Sequence, residues 1–146
     1  MFEERRPDRL LFRSGERPDG IQGAIMEAVL RQDVPVVIEG DGVEVRVQEI
    51  GGGMSISFIR LPKGADLGPA LKGLTDDRCQ CPHWGYLLSG RLLMRTADGD
   101  KTYTGGQAFY WAPGHVPSAL EDCDYVDFSP TDEFNEVIDH IRATAS

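Results

Sequence analysis

Val43, Val45 and Val47 alternate with Glu44, Arg46 and Gln48, and a two-residue period of this kind marks a strand with one dry face and one wet face. Similar short runs follow, each ended by turn chemistry. Gly51-Gly52-Gly53 separates the first run from Met54 to Leu61, which stops at Pro62-Lys63-Gly64. Tyr86-Leu87-Leu88 and Leu92-Leu93-Met94-Arg95 flank Ser89-Gly90, and Asp98-Gly99 suits a tight hairpin. Gln107 to Trp111 ends at Pro113-Gly114, and Tyr125 to Phe128 makes the last run. Short strands at near-regular intervals, with turns between them, predict an all-β sandwich or barrel. The 17 glycines and 9 prolines supply enough turn residues for that many reversals.

The two ends of the chain read differently. Ile21, Ala24, Ile25, Ala28 and Val29 recur at helical spacing behind Asp19 as N-cap and Gln22, which predicts a short helix over residues 20–32. Residues 1–19 place charges of both signs around Pro7, with only Leu10, Leu11 and Phe12 able to dock, and predict an extended arm. Near the other end Phe134, Val137, Ile138 and Ile141 form one apolar stripe. This predicts a helix over residues 130–143, with Ser129 as N-cap, Pro130 at its first position and Asp132 near the positive end of its dipole. It is expected on the outside of the barrel. At 146 residues the whole of 1–146 is expected to be a single domain, with the barrel over 36–128.

A net charge of −9 repels both a phosphate backbone and an anionic leaflet, so neither nucleic acid nor a membrane is expected as a partner. No apolar run approaches the roughly eighteen residues that a spanning helix needs, and the first residues lack the apolar centre of a signal peptide. The chain is expected in the cytoplasm. Three cysteines is an odd number for a disulfide framework and leaves the thiols available as ligands.

The chemistry is concentrated in Arg78-Cys79-Gln80-Cys81-Pro82-His83-Trp84. If this stretch is extended, Cys79, Cys81 and His83 project from the same face. Thiolate and imidazole donors suit zinc, and soft ligands of this kind disfavour Mg²⁺ and Ca²⁺. His115, just past a strand in the Pro113-Gly114 corner, is the candidate fourth donor. Two of the three donors in the run are expected to bind, with the third in support. The plainer alternative is that the cysteines only fill the interior, as buried cysteines often do. Cys123 shares parity with Tyr125 and Asp127 and is expected to pack on the outer face, and His140 on the terminal helix is expected to be solvated or to cap it.

The stretch from about 54 to 128 resembles the cupin family, whose barrels bind a metal through two motifs on neighbouring strands. Taking Gly90 as the closing glycine of the first motif, His83 falls on its glutamate, Cys79 on its second histidine and Asp77 on its first. In the second motif Gly106 and Gly114 match, while Ala112, Pro117 and Glu121 replace the proline, histidine and asparagine. His115 precedes Pro117 by two residues, so it points the same way in an extended chain. The resemblance implies a double-stranded β-helix, or jelly roll, with short N-terminal and C-terminal helices; the family's pairing through sheet edges, together with the helix before the barrel and the arm carrying Leu10 and Phe12, leads to an expected homodimer. Cupins include iron dioxygenases, isomerases, decarboxylases and small-molecule-binding regulators, so fold alone does not choose among them.

Thiols beside an O₂-reactive metal are exposed to oxidation, which puts a divalent transition metal such as zinc first and iron or copper behind it. On this reading the chain is a metal-binding cupin that acts on or binds a small molecule in its cavity. Cys79, Cys81, His83 and His115 would hold the ion, and Tyr86, Gln107, Tyr110 and Trp111 would shape the mouth. For Trp111, plain core packing is the competing expectation. The alternatives are a ligand-, metal- or redox-sensing module without turnover, and a metal-free barrel filled by its own side chains.

Overall fold

The computed structural model describes residues 26–145. Among the described residues nine strands and two α-helices follow one another: β1 (Val36–Gly40), β2 (Val43–Gly51), β3 (Met54–Leu61), α1 (Gly68–Leu71), β4 (His83–Ser89), β5 (Arg91–Thr96), β6 (Gly99–Thr104), β7 (Ala108–Trp111), β8 (His115–Ala119), β9 (Cys123–Pro130) and α2 (Thr131–Ala145). All named pairings are antiparallel. One sheet runs β1-β2-β3-β9-β4-β7 and the other β6-β5-β8. The order places the last strand between the third and fourth, the crossing-over of a jelly roll rather than a meander. Between the sheets Leu61, Leu87, Leu92, Met94 and Tyr125 are almost wholly buried.

Turn glycines set two close approaches. Gly90 joins β4 to β5 at φ +95°, and a Cβ there would lie 2.1 Å from the Asp122 carbonyl oxygen. Gly85, inside β4, has ordinary backbone angles, but a Cβ on it would meet Val126 O at 2.4 Å and the Asp127 Cβ and Phe109 ring at 2.6 Å each. Only glycine lets β4 sit between β7 and β9 at that depth.

Several expectations need correction. Residues 1–19 and 20–25 lie outside the described residues, but Met26–Leu30 is not helical, and only a single 3₁₀ turn forms at Arg31–Asp33. That turn is pinned by Arg31 to Glu44, and by Arg46, whose guanidinium donates to the Val34 carbonyl at 2.9 Å. The Pro113-Gly114 corner leads straight into β8, a strand that contains Pro117. It is tolerated because β8 is the edge of its sheet. The terminal helix starts at Thr131, with Pro130 still in β9. Its apolar stripe, Phe134, Val137, Ile138 and Ile141, walls a cavity, while Asp132, Glu133, Asn135, Glu136 and Asp139 on its other side are exposed.

Cys123 is also on the other face. The sequence parity is right, since Cys123, Tyr125 and Asp127 share a side, but that side is the interior, with exposures of 3%, 2% and 0%. Val126 and Phe128 face outward instead. The cysteine thiol donates to the Arg91 and Glu121 carbonyls.

Candidate metal centre

Cys79 sits just before β4, bridged to the start of β8: its N–H donates to the His115 carbonyl at 2.9 Å, and Gly114 N–H donates back to the Cys79 carbonyl at 2.8 Å. His83 opens β4 and His115 opens β8. The two sheets thereby bring one sulfur and two imidazoles together from either side of the interior. Their donor atoms all lie within 4.8 Å of one another, and all three residues are buried. Cys79 Sγ stands 3.6 Å from His83 Nε2. A tetrahedral zinc with ordinary Zn–S and Zn–N bonds needs a sulfur and a nitrogen about 3.5 Å apart.

The back of each ring is engaged. His115 Nδ1 lies 2.6 Å from the Ala112 carbonyl oxygen. A carbonyl can only accept, so Nδ1 carries the proton and Nε2 keeps its lone pair. His83 Nδ1 lies 2.6 Å from Ser129 Oγ and 3.9 Å from Asp127 Oδ2. Ser129, expected to cap the terminal helix, thus serves the ring instead, because β9 continues through it and turns its hydroxyl inward.

Burial dominates the electrostatics. It pushes His83 down to about 3, helped by the neighbouring His115, and lowers His115 as well. Both rings are therefore neutral near pH 7, the form that ligates. Burial raises the Cys79 thiol to about 11, more than a backbone hydrogen bond from Cys81 lowers it, so without a cation the sulfur stays protonated. A bound divalent ion reverses that preference and displaces the proton. The donor set fits a divalent metal.

Cys81 is buried too, but its sulfur is not among the donors that converge. The chain leaves extended geometry between Cys79 and His83, and the Cys81 thiol turns to the Pro82 carbonyl at 3.5 Å. Asp77, at the place of the first motif's leading histidine, is exposed and accepts from Gly73 N–H at 2.9 Å. His140 accepts no solvent role alone: its Nε2 lies 2.7 Å from the Lys72 carbonyl and ties α2 to the end of α1.

The cavity beside the cluster has a volume of about 60 Å³. Each water needs roughly 10–15 Å³, so the space takes an ion with a few waters, or a ligand of a few non-hydrogen atoms. Its walls are apolar apart from Cys79, His83, His115, Tyr125, Asp127 and the Trp111 indole, whose N–H has no partner. Of the residues expected at the mouth, only Trp111 lines this cavity. Tyr86 and Tyr110 are 43% and 53% exposed on the outer face, where Tyr110 packs against Trp84, and the Gln107 side chain accepts from Thr104 N–H. The strand period explains it: Trp111 faces in, so Tyr110 faces out.

Asp127 is the residue that sequence reading missed. It is wholly buried, both carboxylate oxygens lack a hydrogen-bond partner, and it lines the cavity. Burial pushes its carboxyl up to about 7, against a smaller downward pull from the adjacent Ser57 hydroxyl, which falls short of ordinary hydrogen-bond geometry. The signal was present in the shared parity of Cys123, Tyr125 and Asp127.

No family model matches the sequence, and no curated protein matches it. Solved structures do. An RmlC-like cupin from Shewanella frigidimarina superposes with a TM-score of 0.52 at 16% identity, covering 70% of this chain and 88% of its own. Ectoine synthase from P. lautus gives 0.53 at 13%, covering 72% and 78%, and KdgF from Halomonas sp. gives 0.51 at 18%, covering 71% and 93%.

Proposed function

From a chain with the cupin fold, we propose a metal-binding cupin in which Cys79, His83 and His115 are the protein ligands of a divalent transition metal, zinc first. The observation that supports it is the convergence of three buried donors whose Nε2 and sulfur atoms face one another while the rear nitrogens are engaged. Three protein ligands leave a coordination position open, the arrangement of catalytic rather than structural zinc. A metal there supplies Lewis acidity to a bound oxygen. The cavity's size and apolar walls support a compact small molecule as the ligand acted on or bound. Cys81 supports the site through its backbone carbonyl, which lies 3.7 Å from the Cys79 sulfur.

Redox sensing is less well supported, since burial holds the Cys79 and Cys81 thiols protonated and away from solvent. A metal-free interior has one observation in its favour: the 3.6 Å Cys79–His83 separation also suits a thiol–imidazole hydrogen bond. Elemental analysis of untagged protein separates the readings. Wild type is expected to hold about one zinc per chain after equilibration, and Cys79→Ser or His115→Ala to lose affinity by at least about tenfold. Wild type that stays empty at saturating zinc sinks the proposal.

We further infer a cytoplasmic homodimer. All three cysteines are free, and the exposed rings of Trp84, Tyr86, Tyr110 and Phe128 form one apolar area on the outer face of the larger sheet. Among the described residues, no helix is long and apolar enough to cross a membrane.

A further inference from the structure

Asp127 is the only wholly buried carboxylate among the described residues, and neither of its oxygens has a hydrogen-bond partner. Leaving a carboxylate unpaired in an apolar interior costs several kcal/mol. The fold nonetheless makes room for it. On β9 it stands opposite Ser57 of β3 and Gly85 of β4, and any side chain at 85 would press within 2.6 Å of its Cβ. One carboxylate oxygen lies 3.9 Å from His83 Nδ1, beside the Ser129 hydroxyl that touches the same nitrogen at 2.6 Å.

Those neighbours constrain the ring. The serine hydroxyl can donate or accept, whereas an ionised carboxylate only accepts and favours a proton on the nitrogen it faces. His115 has the same arrangement in simpler form, with a carbonyl behind Nδ1. Charge points the same way. A divalent cation with one thiolate and two neutral imidazoles leaves a buried excess of one positive charge, which a nearby carboxylate cancels.

We propose, resting on the metal-site reading above, that Asp127 is a positioning residue: beside Ser129, it holds His83 as the Nδ1–H tautomer with Nε2 turned to Cys79 and His115, and its negative charge balances the loaded site. It acts through His83 and needs no contact with the ion.

Two measurements test this. Imidazole ¹⁵N NMR of metal-free wild type above about pH 8, where the Asp127 carboxyl is ionised, is expected to show His83 protonated at Nδ1 and bare at Nε2. A ring protonated at Nε2 overturns the proposal, whatever the variants do. Cobalt(II) titration then compares wild type, Asp127→Asn and Ser55→Ala, the last removing an equally buried hydroxyl of the facing strand whose partner is Thr131 and not Asp127. Asp127→Asn is expected to bind cobalt about 10–100-fold more weakly, with displaced visible bands, while Ser55→Ala matches wild type. Unchanged affinity in Asp127→Asn overturns the proposal, as does an equal loss in Ser55→Ala, which would mark a packing effect. Wild type that takes up neither cobalt nor zinc refutes the metal-site reading and the charge-balancing role with it, and the NMR result then decides the tautomer separately.

Discussion

Along the inner face of the six-stranded sheet, β3 and β9 keep one register from end to end, yet Leu61, Ile59, Cys123 and Tyr125 fill one half and Ser57, Ser55, Asp127 and Ser129 the other. Both halves are equally buried. The apolar half stabilises the fold in proportion to the area it removes from water. The polar half can only offset its own desolvation through partners: Ser55 has Thr131 at 2.8 Å and Ser129 has His83 at 2.6 Å, while Ser57 and Asp127 have none. A chain that spends half of a sheet's interior on hydroxyls and a carboxylate has put its chemistry there, and the neighbouring apolar half lets it do so.

The largest expected effect breaks the apolar half. Leu87 is fully buried against β9, and Leu87→Ala is expected to cost about 2–5 kcal/mol in urea unfolding while leaving zinc affinity unchanged. A variant that keeps its stability but loses zinc would show that the two halves are not separable in this way.

An intermediate effect concerns pH in the metal-free protein. Asp127 titrates higher folded, about 7, than its ordinary 3.8. Its contribution is therefore complete below pH 3.8 and is lost as pH rises through 7. His83, pushed from 6.5 down to about 3, works oppositely, and stability falls as acid protonates the unfolded ring first. His115 adds in the same direction. In wild type these slopes oppose one another between pH 4 and 6.5. Asp127→Asn removes the falling component, so its stability is expected to rise with pH more steeply than wild type, by up to about 1.4 kcal/mol per pH unit. Urea midpoints taken across that range decide it, and parallel profiles would mean that Asp127 does not titrate with the site.

The smallest effect lies outside both halves. Tyr110 packs on Trp84 at 5.2 Å between ring centres on the outer face, and Tyr110→Ala is expected to cost only about 0.2–1 kcal/mol. Light scattering on the same variant is expected to move the mass from twice 16.1 kDa towards 16.1 kDa. A wild type that already scatters as a monomer overturns the proposed dimer, and an unaltered dimer places the subunit contact elsewhere.

How far the chain could be read depended on what each signal encodes. Met54 to Leu61 was legible to the residue because alternation and flanking glycines agree. The convergence of Cys79, His83 and His115 was legible because side chains able to ligate a metal recur at strand spacing and next to a Pro-Gly corner. Cys81 shared that spacing and still left the cluster, since extended geometry breaks between Cys79 and His83. Asp127 was grouped with its correct neighbours and assigned to the wrong side, because period alone says which residues share a face and not which face is covered. The apolar stripe of α2 was likewise visible, while its placement against the cavity was not.

Local order is a matter of short-range sterics, turn chemistry and apolar spacing, and these are written in the chain: the strands, their breaks, the terminal helix and the kinds of donor available. Which donors meet depends on how two sheets close over each other and how α2 lies against them. That is settled by packing between residues far apart in sequence, such as Cys79 with His115 and Asp127 with His83, and no local pattern carries it.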